Sequence, residues 1–367
     1  MSSFKDNSGL EEYKPKATQA ERDEQMKKFL AKGGKIEKLK PGYPINVGSF
    51  ERNNKPAFSK EDIENFIKNY SIGNLISFEG IVEGIENTNY KITTSNHHYI
   101  LTIFEKRVNP EELPFFMSLQ KELVAHGFDC PLPIENNKGT IINTIQNKSA
   151  VIISFLEGKQ LQSILPNHCK EVGSMIAKFT NITKTSNLKR ENGLNLETWE
   201  AIVNKCKESK DKSYDHYFNK LDNELVFLKN NWPTNLPTAI IHADLFQDNI
   251  FFIKDKISGV IDFYFSCEDF IAYELALAIN AWCFDFKDGF QSKNYISLME
   301  GFKEYSSLDQ SETKSLNVLL RGAAVRILVT RLHDMIYHPK DALVIPKDPK
   351  EYLKILEWHQ NNREINL

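Results

Sequence analysis

The sequence predicts a two-lobed α+β fold, in which a small lobe of antiparallel strands packs on a mainly helical lobe. The chain has 367 residues, more than a single ordinary core organises. Apolar, β-prone segments are frequent before residue 157, and helical periodicity dominates after it. We therefore expect an N-terminal extension over residues 1–57, a first lobe over residues 58–156 and a second lobe over residues 157–367.

Composition argues against several classes of function. The 46 Lys+Arg residues nearly cancel the 49 Asp+Glu residues, whereas a nucleic-acid binder carries a basic field. No apolar run approaches the roughly 18 residues that cross a membrane, and the N-terminus lacks the apolar core of a signal peptide. Five scattered cysteines without a C-x-x-C pair indicate neither a zinc site nor disulfides. We expect a soluble, cytoplasmic protein without a nucleic-acid or membrane partner, and the oligomeric state stays open.

The N-terminal extension differs from the rest of the chain. Residues 1–17 are polar without periodicity and are expected to be disordered. Residues 18–34 contain a capping-box pattern, a short apolar stripe and a final Gly-Gly, which predict a short helix. Residues 35–56 read as a linker or an extended arm. This segment is too small to bury its own core, so it either docks on the body of the protein, which we favour, or recruits a partner.

The spacing of apolar residues, together with the residues that typically begin or end helices, predicts the elements of both lobes. In the first lobe these are a helix from Ser59 that stops at Gly73, strands over residues 76–81, 90–94 and 98–104, a helix over residues 113–126 and a buried strand over residues 150–156. In the second lobe they are helical patterns over residues 169–179, 199–228, 273–282 and 316–332.

The strongest indication of chemistry lies over residues 240–263. Two apolar, β-prone runs flank a polar turn that contains His242, Asp244 and Asn249, and a later apolar run ends at Asp262. Kinases place a catalytic Asp and a metal-binding Asn at this spacing, followed by a metal-binding Asp at the next strand end. The pattern predicts a phosphotransferase site, with Asp244 orienting the attacking hydroxyl and Asn249 and Asp262 holding Mg²⁺. The alternative is a loop of solvated acids between two core strands.

This stretch resembles the catalytic loop of the aminoglycoside phosphotransferase-like kinases, and within them the homoserine kinase family of bacterial threonine biosynthesis. The similar segments are Gly84–Tyr90, Tyr99–Glu105, Glu112–Phe116, the His242 loop and Gly259–Phe265. The resemblance extends from about Phe58 to the C-terminus. It implies a protein-kinase-like fold, ATP and Mg²⁺, and phosphorylation of the side-chain hydroxyl of L-homoserine. We expect His242 and Asp269 to support the catalytic loop, and Asp269 also to cap the next helix. Glu274 stands where the family often has Asp.

The nucleotide would contact two segments of the first lobe. The connection between the first two strands carries Gly84, Asn87, Thr88 and Asn89, small and amide residues that let backbone N–H groups approach phosphate. An ordinary hairpin turn explains this composition equally well. In a kinase-like fold the strand that ends near residues 154–156 leads to the interlobe hinge. The backbone of the hinge residues would hydrogen-bond adenine, and these residues are Ser154, Phe155 and Leu156.

One position departs from the kinase pattern. The third strand should supply a Lys that reaches the phosphates and pairs with a helix Glu, but Thr102 stands there. Lys106 and Arg107 follow and are candidate substitutes, and Glu112 is the candidate partner. Alternatively, Glu112 is an acid favourably placed in a first helical turn. The homoserine kinase family resembles this chain in having Leu-Thr here, so the departure does not indicate an inactive protein.

Three arginines interrupt the apolar helix predicted over residues 316–332. Arg321, Arg326 and Arg331 would be costly to bury unless each meets an anion. A guanidinium fork suits a carboxylate. We expect either capture of the carboxylate of an amino-acid substrate, with Arg326 the best candidate, or structural salt bridges to core acids.

Two other functions remain open at this point. One is a kinase of another small alcohol, such as an aminoglycoside, choline or methylthioribose. An acidic cluster would favour such a cationic acceptor, whereas buried arginines favour an anionic one. The other is a catalytically silent pseudokinase whose N-terminal arm binds a partner. The intact set of Asp244, Asn249 and Asp262 argues against it.

Overall fold

The computed structural model describes residues 58–81, 87–105, 109–338 and 346–362. The helix predicted within residues 18–34 and the linker over residues 35–56 lie outside the described residues.

The first part of the described chain builds one antiparallel sheet and two helices, as predicted. Its elements are α1 (Lys60–Ile67), β1 (Leu75–Ile81), β2 (Asn87–Thr94), β3 (His98–Phe104), α2 (Leu113–Ala125), β4 (Asn143–Ile145) and β5 (Lys148–Ser154). The strand order is β1-β2-β3-β5-β4, and every neighbouring pair is antiparallel.

The two faces of this sheet have different partners. Alternate residues of β3, namely Tyr99, Leu101 and Ile103, are buried in one core with Ile63 and Phe66 of α1. Because side chains alternate along a strand, Thr102 and Phe104 lie on the other face. Phe104 is buried there against residues of α2. The second face of the sheet therefore carries the position where a kinase lysine was expected.

Helix α1 begins where the sequence predicts and ends earlier. Ser59 is its N-cap: the Ser59 hydroxyl accepts from Asp62 N at 3.1 Å, and Asp62 Oδ2 accepts from Ser59 N at 2.9 Å. The helix ends at Ile67, six residues before the predicted stop at Gly73, whose φ is +89°. Tyr70 and Ile72 still bury their side chains in the sheet core, so the apolar pattern continued beyond the helix.

The rest of the described chain is mainly helical. Its elements are α3 (Pro166–Thr183), α4 (Leu196–Lys207), α5 (Asp215–Asn231), β6 (Thr238–Ile241), β7 (Ile250–Ile253), β8 (Lys256–Val260), β9 (Cys267–Phe270), α6 (Ile271–Trp282), β10 (Phe284–Asp285), β11 (Gly289–Phe290), α7 (Ser292–Lys303), α8 (Gln310–Ile336) and α9 (Lys350–Asn361). The pattern predicted over residues 199–228 is two helices, α4 and α5, separated by a short irregular segment. None of the described helices is long and apolar enough to cross a membrane.

Two helix packings organise this helical part. Helices α3 and α7 approach so closely that a Cβ on Gly173 would lie 1.9 Å from Leu298 O, and one on Gly301 would lie 1.9 Å from Lys170 O. Helix α8 is buried over most of its middle and packs against α4, α6 and α9. Strands β6 and β9 pair, as do β7 and β8, and these two antiparallel pairs carry the predicted catalytic residues.

Candidate active site

The catalytic loop runs from the end of β6 to the start of β7 and contains a strained residue. Ala243 adopts φ +63°, a left-handed conformation that is uncommon for a residue with a side chain. Its N–H donates to Glu274 Oε2 at 2.9 Å, and Glu274 is fully buried on α6. Burial raises the pKa of Glu274 to about 7, against the opposing effects of this hydrogen bond and of Arg326. Glu274 thus fixes the backbone of the loop just before Asp244.

Asp244 and Asn249 are in direct contact. The Asn249 amide Nδ2 donates to the Asp244 carboxylate Oδ2 and to the Asp244 backbone carbonyl, each at 2.8 Å. Burial raises the pKa of Asp244 to about 6, and the neighbouring Arg326 opposes this rise. Because Asn249 uses its NH₂ group for Asp244, its carbonyl oxygen is left for another partner.

His242 connects this loop to the end of β8. Its Nε2 lies 3.0 Å from the carbonyl of Ile261, and its Nδ1 accepts from Asp244 N at 3.3 Å. This pairing requires the proton on Nε2. Burial lowers the pKa of His242 to about 4, so the ring is neutral at physiological pH. The imidazole therefore joins the backbone of Asp244 to the residue that precedes Asp262.

Asp262 lies next to Asn249. Ile261 N donates to the Asn249 carbonyl at 3.0 Å, in continuation of the β7–β8 ladder. Asp262 itself has φ +66° and ψ +64°, a left-handed conformation that ends the strand. The end of β8 thus places the backbone of Asp262 close to that of Asn249, which itself contacts Asp244.

The donor set fits a hard divalent cation that also binds phosphate. Among the described residues, no group of three or more His, Cys, Asp or Glu side chains could hold a metal ion. Mg²⁺ does not need such a cage, because it is bound by one or two carboxylates together with substrate phosphates and water. One amide oxygen from Asn249 and one carboxylate from Asp262 match this requirement.

The predicted phosphate loop differs from what the structure shows. Asn87, Thr88 and Asn89 belong to β2 and not to a turn. The reason is that β3 extends to Phe104 and pairs with them along the backbone. Gly84 lies outside the described residues. The Thr102 hydroxyl donates to Asn89 Oδ1 at 2.8 Å on the face of the sheet that Phe104 shares. Thr88 lies on the opposite face and donates to Glu105 at 3.0 Å. Asn89 thus shares the face of the sheet with Thr102, and Thr88 lies on the face that α1 covers.

Glu112 has a partner that the sequence did not suggest. Arg190 Nη2 lies 3.1 Å from Glu112 Oε2, and Arg190 Nη1 donates to Ser266 O at 2.9 Å. Lys106 and Arg107, the predicted substitutes for the strand lysine, lie outside the described residues. Arg190 precedes α4 and belongs to no periodic pattern, so nothing in the sequence distinguished it from a solvated arginine.

The segment after β5 connects the sheet to the β7–β8 hairpin. Ser154 ends β5, and its backbone N–H donates to Leu132 O at 2.9 Å, so this donor is already used. The Phe155 ring lies under Lys91 Nζ, 4.4 Å from the ring centroid. Leu156 packs so closely on Gly259 that a Cβ there would lie 2.5 Å from a Leu156 methyl group. Backbone groups of Phe155 and Leu156 are therefore the candidates for an adenine contact.

The three arginines of α8 have different environments. Arg321 donates twice to Glu224 of α5, at 2.6 Å each, in a buried pair. Arg331 donates to Glu351 at 2.6 Å. Arg326 is 2% exposed, and its Nε and Nη1 have no hydrogen-bond acceptor among the described residues. The salt-bridge interpretation thus holds for Arg321 and Arg331. Arg326 instead has two buried N–H groups, at Nε and Nη1, that could bind a ligand.

Asp269 does not cap the following helix, contrary to the prediction. Phe270 holds the N-cap position of α6, without a side-chain bond. Asp269 is instead a residue of β9 paired with Ala239 of β6, the strand that enters the catalytic loop. Its Oδ2 accepts from Asn192 Nδ2 at 2.6 Å. The helix starts directly from a strand, which leaves no turn from which Asp269 could reach the helix N–H groups.

A cavity of about 370 Å³ adjoins the catalytic loop at Phe246 and Gln247. Arg331, Tyr352 and Trp358 contribute to its wall. Asp244 is not among its lining residues, so the cavity borders the catalytic loop without enclosing the reacting position.

Comparison with known proteins agrees with this geometry. The sequence pattern of the phosphotransferase enzyme family matches residues 77–294. A curated homoserine kinase from Parvibaculum lavamentivorans is 43% identical over 300 residues, which cover 82% of this chain and 94% of the relative. A second, from Bartonella henselae, is 42% identical over 299 residues, which cover 82% of this chain and 92% of the relative.

Solved structures show the same fold. The amicoumacin kinase hAmiN, in complex with AMP-PNP, Ca²⁺ and Ami, superposes with a TM-score of 0.62 at 13% identity, covering 83% of this chain and 93% of its own. The spectinomycin phosphotransferase APH(9)-Ia, in complex with ADP and spectinomycin, has a TM-score of 0.59 at 13% identity, covering 82% and 94%. The expected protein-kinase-like α+β fold is therefore confirmed.

Proposed function

Because the chain belongs to the homoserine kinases of the phosphotransferase enzyme family, we propose that it transfers the γ-phosphoryl group of ATP to the side-chain hydroxyl of L-homoserine. The product is O-phospho-L-homoserine, an intermediate of threonine biosynthesis. The observation that carries the proposal is the contact of Asp244 with Asn249 next to Asp262.

Asp244 is the residue that receives the acceptor hydroxyl. A general base works best when its pKa lies near the operating pH, and burial brings the pKa of Asp244 to about 6. At neutral pH the carboxylate is still mostly ionised and accepts a hydrogen bond from the hydroxyl. Asn249 holds one carboxylate oxygen, and the other is left to orient the acceptor. Glu274 accepts from the backbone N–H of Ala243 and His242 from that of Asp244, and together they position Asp244.

Asn249 and Asp262 would hold Mg²⁺. The metal supplies charge neutralisation for the phosphates of ATP when it is bound. Asn249 contributes an amide oxygen because its NH₂ is committed to Asp244, and Asp262 contributes a carboxylate. The backbone of Phe155 and Leu156 is assigned to adenine. Asn89, with Thr102 fixed to it, is assigned to the phosphates.

The Arg326 guanidinium is assigned to the carboxylate of the acceptor. A buried guanidinium with two unpaired donors is costly, and a bound carboxylate would remove that cost. Arg326 is also close enough to Asp244 to oppose the rise of its pKa. An acceptor whose hydroxyl lies on Asp244 and whose carboxylate lies on Arg326 is a hydroxy acid, in contrast to choline or an aminoglycoside.

All five cysteines are free and buried, which supports a reducing compartment such as the cytoplasm.

The test is ADP release from Mg²⁺-ATP by the purified protein with a panel of acceptors. The panel contains L-homoserine, L-homoserinol, choline, an aminoglycoside and methylthioribose. We expect L-homoserine to have the highest kcat/KM, with O-phospho-L-homoserine identified by phosphorus NMR. Homoserinol, which lacks the carboxylate, should be a poor acceptor. Absence of turnover with homoserine would refute the proposed reaction, and equal use of homoserine and homoserinol would refute the role of Arg326.

A further inference from the structure

An ammonium group already occupies a position beside the catalytic loop. The Lys347 ammonium lies 3.0 Å from Asp248 Oδ2 and 5.6 Å from the centroid of the Phe246 ring. Asp248 and Phe246 belong to the catalytic loop, whereas Lys347 comes from the segment that precedes α9. A carboxylate beside an aromatic face is a favourable site for an alkylammonium group, and Lys347 shows that this one accepts such a group.

The occupant can be displaced. The side chains of Lys347 and Asp248 are 62% and 50% exposed. An ion pair this exposed contributes little to stability, because water screens it and two mobile side chains must be ordered. Exchange of the lysine ammonium for another ammonium group therefore costs the protein little. The same exposure gives a small molecule access to Asp248.

The position is close to the reacting group. Asp248 raises the pKa of Asp244 and Lys347 lowers it, so both charges act on the Asp244 carboxylate; burial is the larger influence on this pKa. Phe246 is two residues from Asp244, and its ring packs against Tyr352 of α9 at 6.4 Å. A ligand bound to Asp248 and Phe246 would thus lie beside the acceptor hydroxyl on Asp244.

We propose that Asp248 and Phe246 form the seat for the α-ammonium group of the amino-acid acceptor, and that Lys347 occupies this seat when no acceptor is bound. This inference rests on the proposed function and deepens it. With Arg326 assigned to the carboxylate, the site presents one anion and one cation to a zwitterion. Lys347 then competes with the acceptor, so only a molecule that brings its own ammonium group recovers the ion pair with Asp248. A hydroxy acid without an amine cannot replace the ion pair that Asp248 loses when Lys347 is displaced.

The test compares two ligands that differ only in the ammonium group. We would measure the KM of L-homoserine and the inhibition constant of 4-hydroxybutyrate against it, for the wild type, Asp248→Asn and Lys347→Met. Asp248→Asn keeps the size of the side chain and removes its charge. We expect it to raise the KM of homoserine at least tenfold and to change the inhibition constant of 4-hydroxybutyrate less than twofold. Lys347→Met should lower the KM of homoserine, because it removes the competitor.

The matched controls are Lys207→Met and Asp222→Asn. These residues form another ion pair at the surface, at 2.6 Å, between the helices α4 and α5. Neither control should change the constants more than twofold. A general loss of stability after breaking a surface ion pair would affect controls and test variants alike.

Three results would overturn the inference. If Asp248→Asn weakens both ligands equally, Asp248 acts through the geometry of the loop and not on the ammonium group. If Lys347→Met raises the KM of homoserine tenfold, Lys347 binds the acceptor and is not a placeholder. A wild-type enzyme that does not phosphorylate homoserine refutes the proposed function and the seat with it, and this result is visible before any variant is measured.

Discussion

The three arginines of α8 offer a sharp experiment, because one substitution should give three different results. Each arginine is replaced by methionine, which keeps an unbranched apolar stem and removes the charge. Arg321→Met leaves Glu224 buried without its bidentate partner; the two side chains are 8% and 2% exposed. Breaking a buried pair by removing one partner costs about 3–5 kcal/mol. At about 2–4 °C per kcal/mol for domains of some 150–250 residues, the melting temperature should fall by about 6–20 °C.

The other two substitutions should behave differently. Arg331 also donates to Asp348 O at 3.1 Å and lies 4.6 Å from the centroid of the Tyr352 ring. Its partner Glu351 is 40% exposed and stays hydrated when the arginine is removed, so Arg331→Met should cost less than Arg321→Met. The Nε and Nη1 donors of Arg326 have no acceptor among the described residues, so Arg326→Met should lose less stability than Arg321→Met. If Arg326 binds the substrate carboxylate, removing it should cost about 2–5 kcal/mol of binding free energy. This corresponds to a rise in the KM of homoserine of about 30- to 4000-fold.

The assays are urea unfolding and steady-state kinetics on the same four proteins. Arg321→Met should lose stability and keep the KM of homoserine at sub-denaturing temperature. Arg326→Met should show a higher KM for homoserine and an almost unchanged KM for ATP, and it should no longer prefer homoserine over homoserinol. A stability loss below 1 kcal/mol in Arg321→Met would refute the energetic argument for the buried pair. A KM of homoserine within threefold of wild type in Arg326→Met would refute the carboxylate role.

Three further substitutions and one deletion test the site and the role of the N-terminal extension. Asp262→Asn should abolish Mg²⁺-ATP turnover and leave the fold intact, because a neutral amide is a poorer ligand for a hard cation; turnover within about tenfold of wild type would remove Asp262 from the metal site. Asp244→Asn should keep ATP affinity and lower kcat by orders of magnitude, whereas a collapse of nucleotide affinity would make Asp244 structural. Deletion of residues 1–57 should leave a folded, active kinase, since the family match covers residues 77–294 and the deleted segment is too small to bury a core of its own; insoluble or inactive protein would contradict this. Burial raises the pKa of Glu274 to about 7, so the stability that it contributes is present below pH 4.5 and is lost as the pH rises through 7. Glu274→Gln should flatten this part of the pH–stability curve in urea unfolding, and an unchanged slope between pH 5 and 8 would show that another group titrates there.

Local sequence determined the core of the site. Asp244 and Asn249 belong to one short strand–turn–strand segment, and Asp262 follows one hairpin later. The β7–β8 hairpin pairs Ile250 with Val260, so the residues on either side of it, Asn249 and Asp262, lie at the same end of the hairpin. This proximity follows from a local turn, and the sequence pattern was therefore sufficient to predict it. The capping box at Ser59 and the alternation along β3 were also readable, because each depends on residues within one turn or one strand.

Other features depended on partners that are distant in the chain. The strand β2 begins at Asn87, and not at Tyr90, because β3 is long enough to pair with it; the composition of Asn87–Asn89 favoured a turn. Glu274 holds Ala243 across 31 positions, and Lys347 reaches Asp248 across 99. Neither contact lies in a periodic pattern. A side chain's nearest partner over such distances is set by how helices and strands pack.

The arginines of α8 show most clearly which features the sequence determines and which the tertiary structure decides. The sequence favoured Arg326 as the residue that binds a substrate carboxylate, but it left a salt bridge to a core acid open for Arg321, Arg326 and Arg331 alike. The partner of Arg321 lies 97 residues away on α5 and that of Arg331 lies 20 residues away on α9. The need for an anion is a local property of charge and burial, and therefore the sequence determined it. Which arginine finds that anion within the protein depends on which helix faces each side chain, and only the tertiary structure decided that Arg326 has unpaired donors.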